Sequence, residues 1–188
     1  MAATDVSKAK RSEYYTFLNV GTVESAKWAR EGKYVSDLTT QMNPQTTTAQ
    51  DVTQDTAETD ITGYQPSQGV SKSVSKTDPT FEYINDIRRH RKILSDAYSQ
   101  ILNVDVFNKN EDGSYPAELQ DVSIQIDSFG GPASDPLTIA YTYNYRGDAK
   151  LGKVTITDGE PKFTEETKSS YSASGSNPVP APTGSKTG

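Results

Sequence analysis

The chain has 188 residues and a formal charge of −6, with one His and no Cys. That length holds one ordinary domain, the acidic balance excludes a grip on nucleic acid through neutralised phosphates, and the missing thiols exclude disulfides, thiolate nucleophiles and cysteine-bound metals. The apolar share of 32% falls below the usual globular level, so the chain is expected to bury its edges against neighbours.

Thr, Ser, Gln, Asn and Asp replace the missing apolar residues, and 11 Tyr carry most of the aromatic content, a mixture suited to half-buried pleated surfaces. The N-terminus, MAATDVSKAKRSEYY, has no apolar stretch of the kind a signal peptide needs, and no run reaches the roughly 20 apolar residues of a membrane span. A soluble, non-exported chain without membrane contact is the expectation.

Residues 1–13 are polar and of mixed charge and read as a flexible arm. YYTFLNV (14–20) reads as a well-buried strand closed by Gly21. Trp28 lies in VESAKWAREGKY, which reads as one or two helical turns or a loop. VSDLTTQMNPQTTT (35–48) has sparse apolar anchors and a Pro, suggesting an edge strand and a turn. AQDVTQDTAETD (49–60) is acidic with few large side chains, so an exposed loop over about 40–60 is expected. A strand is possible near 67–75.

Asp78-Pro79 pairs a good N-cap with a proline tolerated at the first helical position, and predicts a helix over about 79–96. Phe81, Ile84, Ile87 and then Arg91 or Leu94 form its apolar stripe. Beyond it the pattern is strand-like at 97–107, 117–127 and 137–146. Val122, Ile124 and Ile126 alternate with Asp121, Ser123, Gln125 and Asp127; Ile139, Tyr141, Tyr143 and Tyr145 alternate with Thr138, Thr142, Asn144 and Arg146. Two last strands, near 151–157 and 161–167, are joined by a DGEP turn. Residues 168–188 are rich in Ser, Gly and Pro and read as a flexible tail. The fold class is mainly β, a sandwich or barrel spanning 14–167 with one flanking α-helix.

Little in the sequence points to catalysis. His90 sits in the basic run RRHRK with no acid and nucleophile set, and reads as an exposed helix residue. Asn108, Asn110, Asp112 and Gly113 imitate the start of a calcium loop, yet Leu119 stands where the bidentate Glu belongs; a hairpin turn explains them better. Gly130-Gly131 lacks the Lys and the strand-to-helix setting of a phosphate loop. No enzyme, no cofactor and no metal site is expected.

Four segments in order resemble the major tail protein, or tail tube protein, of long-tailed (siphovirus-type) bacteriophages: DITGYQPS (60–67), KTDPTFEYINDIRRHR (76–91), SYPAELQDVSIQIDSFGG (114–131) and YNYRGDAKLGKVTI (143–156). Together they span about half of the chain. The resemblance implies a tail-tube-like β domain whose copies form six-membered rings, stacked into a hollow conduit for genome ejection. Inner strands of the six copies would join in one barrel, and the arm and the 40–60 loop would reach adjacent rings. Implied partners are further copies of the chain, a tape-measure protein, and tail terminator and distal tail proteins, in a virion tail assembled in the host cytoplasm. Double-stranded DNA would pass without specific binding, since six copies at −6 each carry about −36 per ring and repel phosphate. Alternation marks Ser123, Gln125, Asp127, Thr138, Thr142 and Asn144 as lumen-facing candidates, with Asn103 and Asp105 as a weaker set. A ring of a contractile injection or type VI-like secretion tube, and a monomeric β-sandwich binding surfaces through its Tyr-rich strand, are the alternatives.

Overall fold

The fold turns on one long strand. In the computed structural model, which describes residues 8–53 and 55–166, strand β8 (Tyr115–Gly130) reaches three partners. It pairs with β7 (Tyr98–Asp105) over 117–123, with β9 (Thr138–Tyr145) over 122–130, and with β10 (Lys150–Thr157) over 115–119. The expected tail at 168–188 and the first seven residues of the expected arm lie outside the described residues.

Around β8 an antiparallel sheet runs in the order β2 (Trp28–Glu31), β1 (Tyr14–Asn19), β7, β8, β9, β6 (Ser67–Ser73), β3 (Val35–Gln41). A hairpin of β10 and β11 (Glu160–Glu165) branches from the first half of β8. Its turn, Asp158-Gly159, has positive φ at both residues (52° and 85°), as a tight hairpin with the right twist requires. The mainly β class with one helix is therefore what the chain adopts, as a curled half-barrel sheet.

Curling gives the sheet two cores. One face gathers Leu18, Ile101, Val122, Ile124, Tyr141 and Tyr143 under the helix α1 (Pro79–His90), which contributes Phe81, Ile84 and Ile87. On the other face the β10–β11 hairpin folds over Phe17, Leu102, Val104 and Ala117, adding Val154. Strand β7 is consequently covered on both sides, and its alternation does not separate wet from dry.

Several expectations need correction. Trp28 opens strand β2 rather than a helical turn or loop. The helix stops at His90, well short of 96: Arg91 enters the left-handed region at φ 50°, and the Lys92 amide bonds back to the Ile87 carbonyl at 3.1 Å. Leu94 therefore falls in a separate 3-10 turn (Leu94–Ala97), off the apolar stripe and 71% exposed. The expected 40–60 loop is present only at 50–53 and 55–57, which are exposed and lie between two strands. The flanking residues form most of a two-stranded ribbon, β4 (Pro44–Ala49) against β5 (Glu58–Tyr64), continuing the β3–β6 pair beyond Asn43 and Gln65. Apart from Gly63 its residues are exposed. The arm is tied at its base, where Lys10 and Glu13 close a turn and Arg11 donates to the Tyr14 and Leu38 carbonyls at 2.7 and 3.2 Å.

Candidate assembly surface

Strands β8, β9, β6 and β3 lay a face of small polar side chains on the side away from the helix. Register aligns Ser123 with Asn144 and Gln125 with Thr142. Next come Ser67, Gly69, Ser71 and Ser73 on β6, and then Asp37, Thr39 and Gln41 on β3. Asp127 sits at a bulge between Ile126 and Ser128 and ties the face together: its carboxylate accepts from Gln125 Nε2 and Thr142 Oγ1, both at 2.7 Å, while Asn144 Nδ2 donates to Gln125 Oε1 at 3.2 Å. Thr138 stands at the end of the same row, donating to the Gly130 carbonyl. The wall carries Asp127 and Asp37, and Arg146 borders it where its guanidinium stacks on Tyr98, opposite Ser123.

Six of the eight lumen-facing candidates thus share one face. Asn103 and Asp105 do not and are withdrawn from the set. Asn103 is 2% exposed, accepting from Thr16 Oγ1 at 2.7 Å and donating to the Tyr145 hydroxyl at 3.1 Å, on the helix side of the sheet. Asp105 follows it on that side, opposite Tyr14, and burial pushes its carboxyl up. Neighbouring Glu118 is raised by burial first and by the Asp105 charge second. The β6 and β3 part of the wall was not legible, because SQGVSKS offers a single large apolar residue to mark its period.

Two edges of this four-stranded wall lack a partner strand among the described residues. β3 pairs only with β6, leaving its outer edge to a single contact, from Arg11 to the Leu38 carbonyl. β7 stops at Tyr98, opposite Ser123, so β8 from 124 to 130 pairs with β9 alone. Beside that second edge lies a groove of about 420 Å³, floored by Ile87, Ile124 and Ile126 and rimmed by Arg88, Arg91 and Lys92. Ile93 and Leu94 border it, each 71% exposed.

A second constellation was invisible in the sequence. Glu31, Lys72, Asp78 and Thr80, from β2, β6 and the start of α1, meet inside the core against the hydroxyls of Tyr141 and Tyr143. Lys72 Nζ lies 3.0 Å from Glu31 Oε2 and 2.7 Å from Asp78 Oδ2, and also contacts Thr80 Oγ1. Burial raises the Asp78 carboxyl, and the Lys72 ammonium and Thr80 donors outweigh it, holding the group below the ordinary carboxylate range. Tyr141 and Tyr143 are pushed well up, by burial first and the Glu31 charge next. Both rings are fully buried, whereas Tyr145 of the same strand is half-buried and lines a cavity of about 370 Å³ with Tyr14, Met42, Tyr64 and Pro66. His90 lies on the exposed helix face beside Asp86, at 2.9 Å.

No family model matches the chain, and no curated protein matches it. Among solved structures, a chain of the anti-feeding prophage (AFP) baseplate, seen by six-fold symmetrised cryo-electron microscopy, is similar over 80% of this chain and 97% of that one, at 11% identity and a TM-score of 0.44. At that overlap the likeness bears on neither partners nor function.

Proposed function

We propose that the chain is a structural subunit of a phage-type tail tube, building rings by strand addition between copies and playing no catalytic part. The carrying observation is the polar four-stranded wall with an unpaired edge at each side. The outer edge of β3 (Val35–Gln41) offers seven residues, and 124–130 of β8 matches that length. Joining one to the other in successive copies satisfies both rows of backbone groups and removes the liability of two open edges. It also covers Ile93 and Leu94 beside the β8 edge.

The sixfold number comes from the resemblance of the four sequence segments to tail tube proteins. Six copies of four strands at about 4.8 Å spacing make a wall roughly 115 Å around, hence about 37 Å across between backbones. Its lining would be Ser, Thr, Asn, Gln and Asp. Such a surface keeps its own water and repels phosphate, so a duplex slides through. The β4–β5 ribbon supports the same reading, since an isolated two-stranded hairpin is marginal in water and every residue of this one but Gly63 is exposed. Contact with the next ring would supply its missing support.

Electron microscopy of the concentrated protein, with hydrogen exchange before and after assembly, tests the proposal. Hollow rings or tubes are expected, with amides of 35–41 and 124–130 newly protected. Persistent monomers at all concentrations, or rings that leave those amides unprotected, would refute it.

A further inference from the structure

Burying an ammonium between two carboxylates is expensive unless every charge is matched. The core site leaves one carboxylate in excess, with Lys72, Glu31 and Asp78 side chains at 1%, 0% and 5% exposure. The two acids are not equivalent. Glu31 is engaged through both oxygens: Oε1 accepts from Tyr141 and Tyr143 at 2.6 and 2.8 Å, and Oε2 from Lys72 at 3.0 Å. Asp78 is engaged through Oδ1 alone, which accepts from the Thr80 amide at 3.1 Å and the Thr80 hydroxyl at 2.8 Å. Its Oδ2 is buried, with no donor along a hydrogen-bonding line, although Lys72 Nζ is only 2.7 Å away.

We propose that Lys72 and Asp78 condense into an intramolecular isopeptide bond, with Glu31 as the proton carrier. Lys72 Nζ gives a proton to Glu31 Oε2, and the freed amine attacks Asp78 Cγ. The Nζ–Cγ bond forms and the Cγ–Oδ2 bond breaks. Oδ2 departs as water, carrying the proton held by Glu31 and a second one from Nζ. An ammonium and a carboxylate become a neutral amide plus water, so atoms and charge balance with no oxidant, reductant or activating group.

Three features favour the step. Reactants are held in contact, which converts the loss of translational freedom into a cost met by folding. Two buried charges disappear together, and the one carboxylate that remains, Glu31, keeps the Tyr141 and Tyr143 hydroxyls as donors. The oxygen that leaves is the one without a hydrogen bond, while Oδ1 stays as the amide oxygen and continues to cap the helix. The product ties β6 to the first turn of α1, a joint that denaturant cannot open.

Intact mass of the full chain, taken after folding and then unfolding in acid, tests this. The expected result is a mass short by one water molecule, with a digest containing a branched peptide that joins Lys72 to Asp78. E31Q, checked for fold by circular dichroism, is expected to keep the full sequence mass, as is K72R. A folded wild-type chain at full mass overturns the proposal, and it needs no variant to be read. Loss of water without the branch, or a branch from Lys72 to Glu31, overturns it equally.

Discussion

Replacing Tyr143 by Phe removes one hydroxyl from the core and leaves the ring, so its effects isolate one donor. The hydroxyl donates to Glu31 Oε1 at 2.8 Å, and the ring packs edge-on against Tyr141 at 5.4 Å between centroids. Losing a hydrogen bond to a buried carboxylate costs about 1.5–3 kcal/mol near neutral pH. A chain of this size loses roughly 2–4 °C of melting temperature per kcal/mol. The alkaline side behaves differently. Tyr143 in the fold keeps its proton well above the ordinary value of 10.0, whereas the unfolded chain ionises near it. A raised folded value means that the stabilisation is whole below the unfolded value and drains away above it. Each such tyrosine removes about 1.4 kcal/mol per pH unit, so Tyr141 and Tyr143 together remove about 2.7. The Phe variant thus starts less stable and declines with a slope smaller by about 1.4, closing the gap over roughly one to two pH units above the ordinary tyrosine range. Guanidinium unfolding at a series of pH values measures both curves. Parallel slopes, or a difference between wild-type and Phe-variant absorbance that shows the Tyr143 phenolate in the folded protein near the ordinary value, would refute the argument.

Other expectations follow from the packing. Replacing residues 49–58 by Asn-Gly leaves Thr48 opposite Thr59 across a two-residue turn, so the melting temperature should hold while micrographs lose long tubes. Ile84→Ala empties a fully buried position under the sheet and should cost about 2–5 kcal/mol in denaturant unfolding. Gly152→Ala would set a Cβ 2.3 Å from the Thr164 carbonyl oxygen and 2.7 Å from the Phe163 ring; since backbone cannot yield cheaply, a loss of about 1–3 kcal/mol and faster amide exchange in β11 are expected. Gly69→Lys meets open space on the polar wall, so the monomer should melt as before, while assembled tubes should now retain short DNA duplexes in a salt-sensitive way.

Where one side of a strand is wet and the other dry, the residues announced the fold. Val122, Ile124, Ile139, Tyr141 and Tyr143 stand where their period of two puts them, and Asp78-Pro79 starts the helix as its chemistry demands. Where tertiary structure covers both sides, the period misleads. Asn103 looked wet because Leu102 and Val104 looked dry, yet the β10–β11 hairpin covers those two while Tyr145 and Thr16 satisfy Asn103. Strand β2 is only four residues long, too short for a period to show. The ribbon of β4 and β5 has no apolar stripe, and its residues are exposed apart from Gly63. Glu31, Lys72 and Asp78 meet across 47 residues of sequence, and no local pattern marks such a meeting.

The proposed assembly gives the low apolar content and the open edges one physical origin. A sheet that closed on copies of itself could not bury both faces within one chain, because the face turned to the channel would have to stay wet. Nature of the side chains follows from that constraint. Serine, threonine and glycine on β6 and β3 are small enough to leave a passage clear, and the hydrogen-bonded row of Asp127, Gln125 and Asn144 fixes the larger polar groups against the wall. Apolar residues are then concentrated on the helix side, where α1 shields them, and beneath the β10–β11 hairpin. Backbone edges at β3 and at 124–130 of β8, with Ile93 and Leu94 beside the latter, border the wall, while β2 and β11 also end the sheet and Val23, Phe107 and Leu151 are exposed elsewhere. The proposed assembly uses the two edges that flank the polar face, because only these extend that face from one copy to the next.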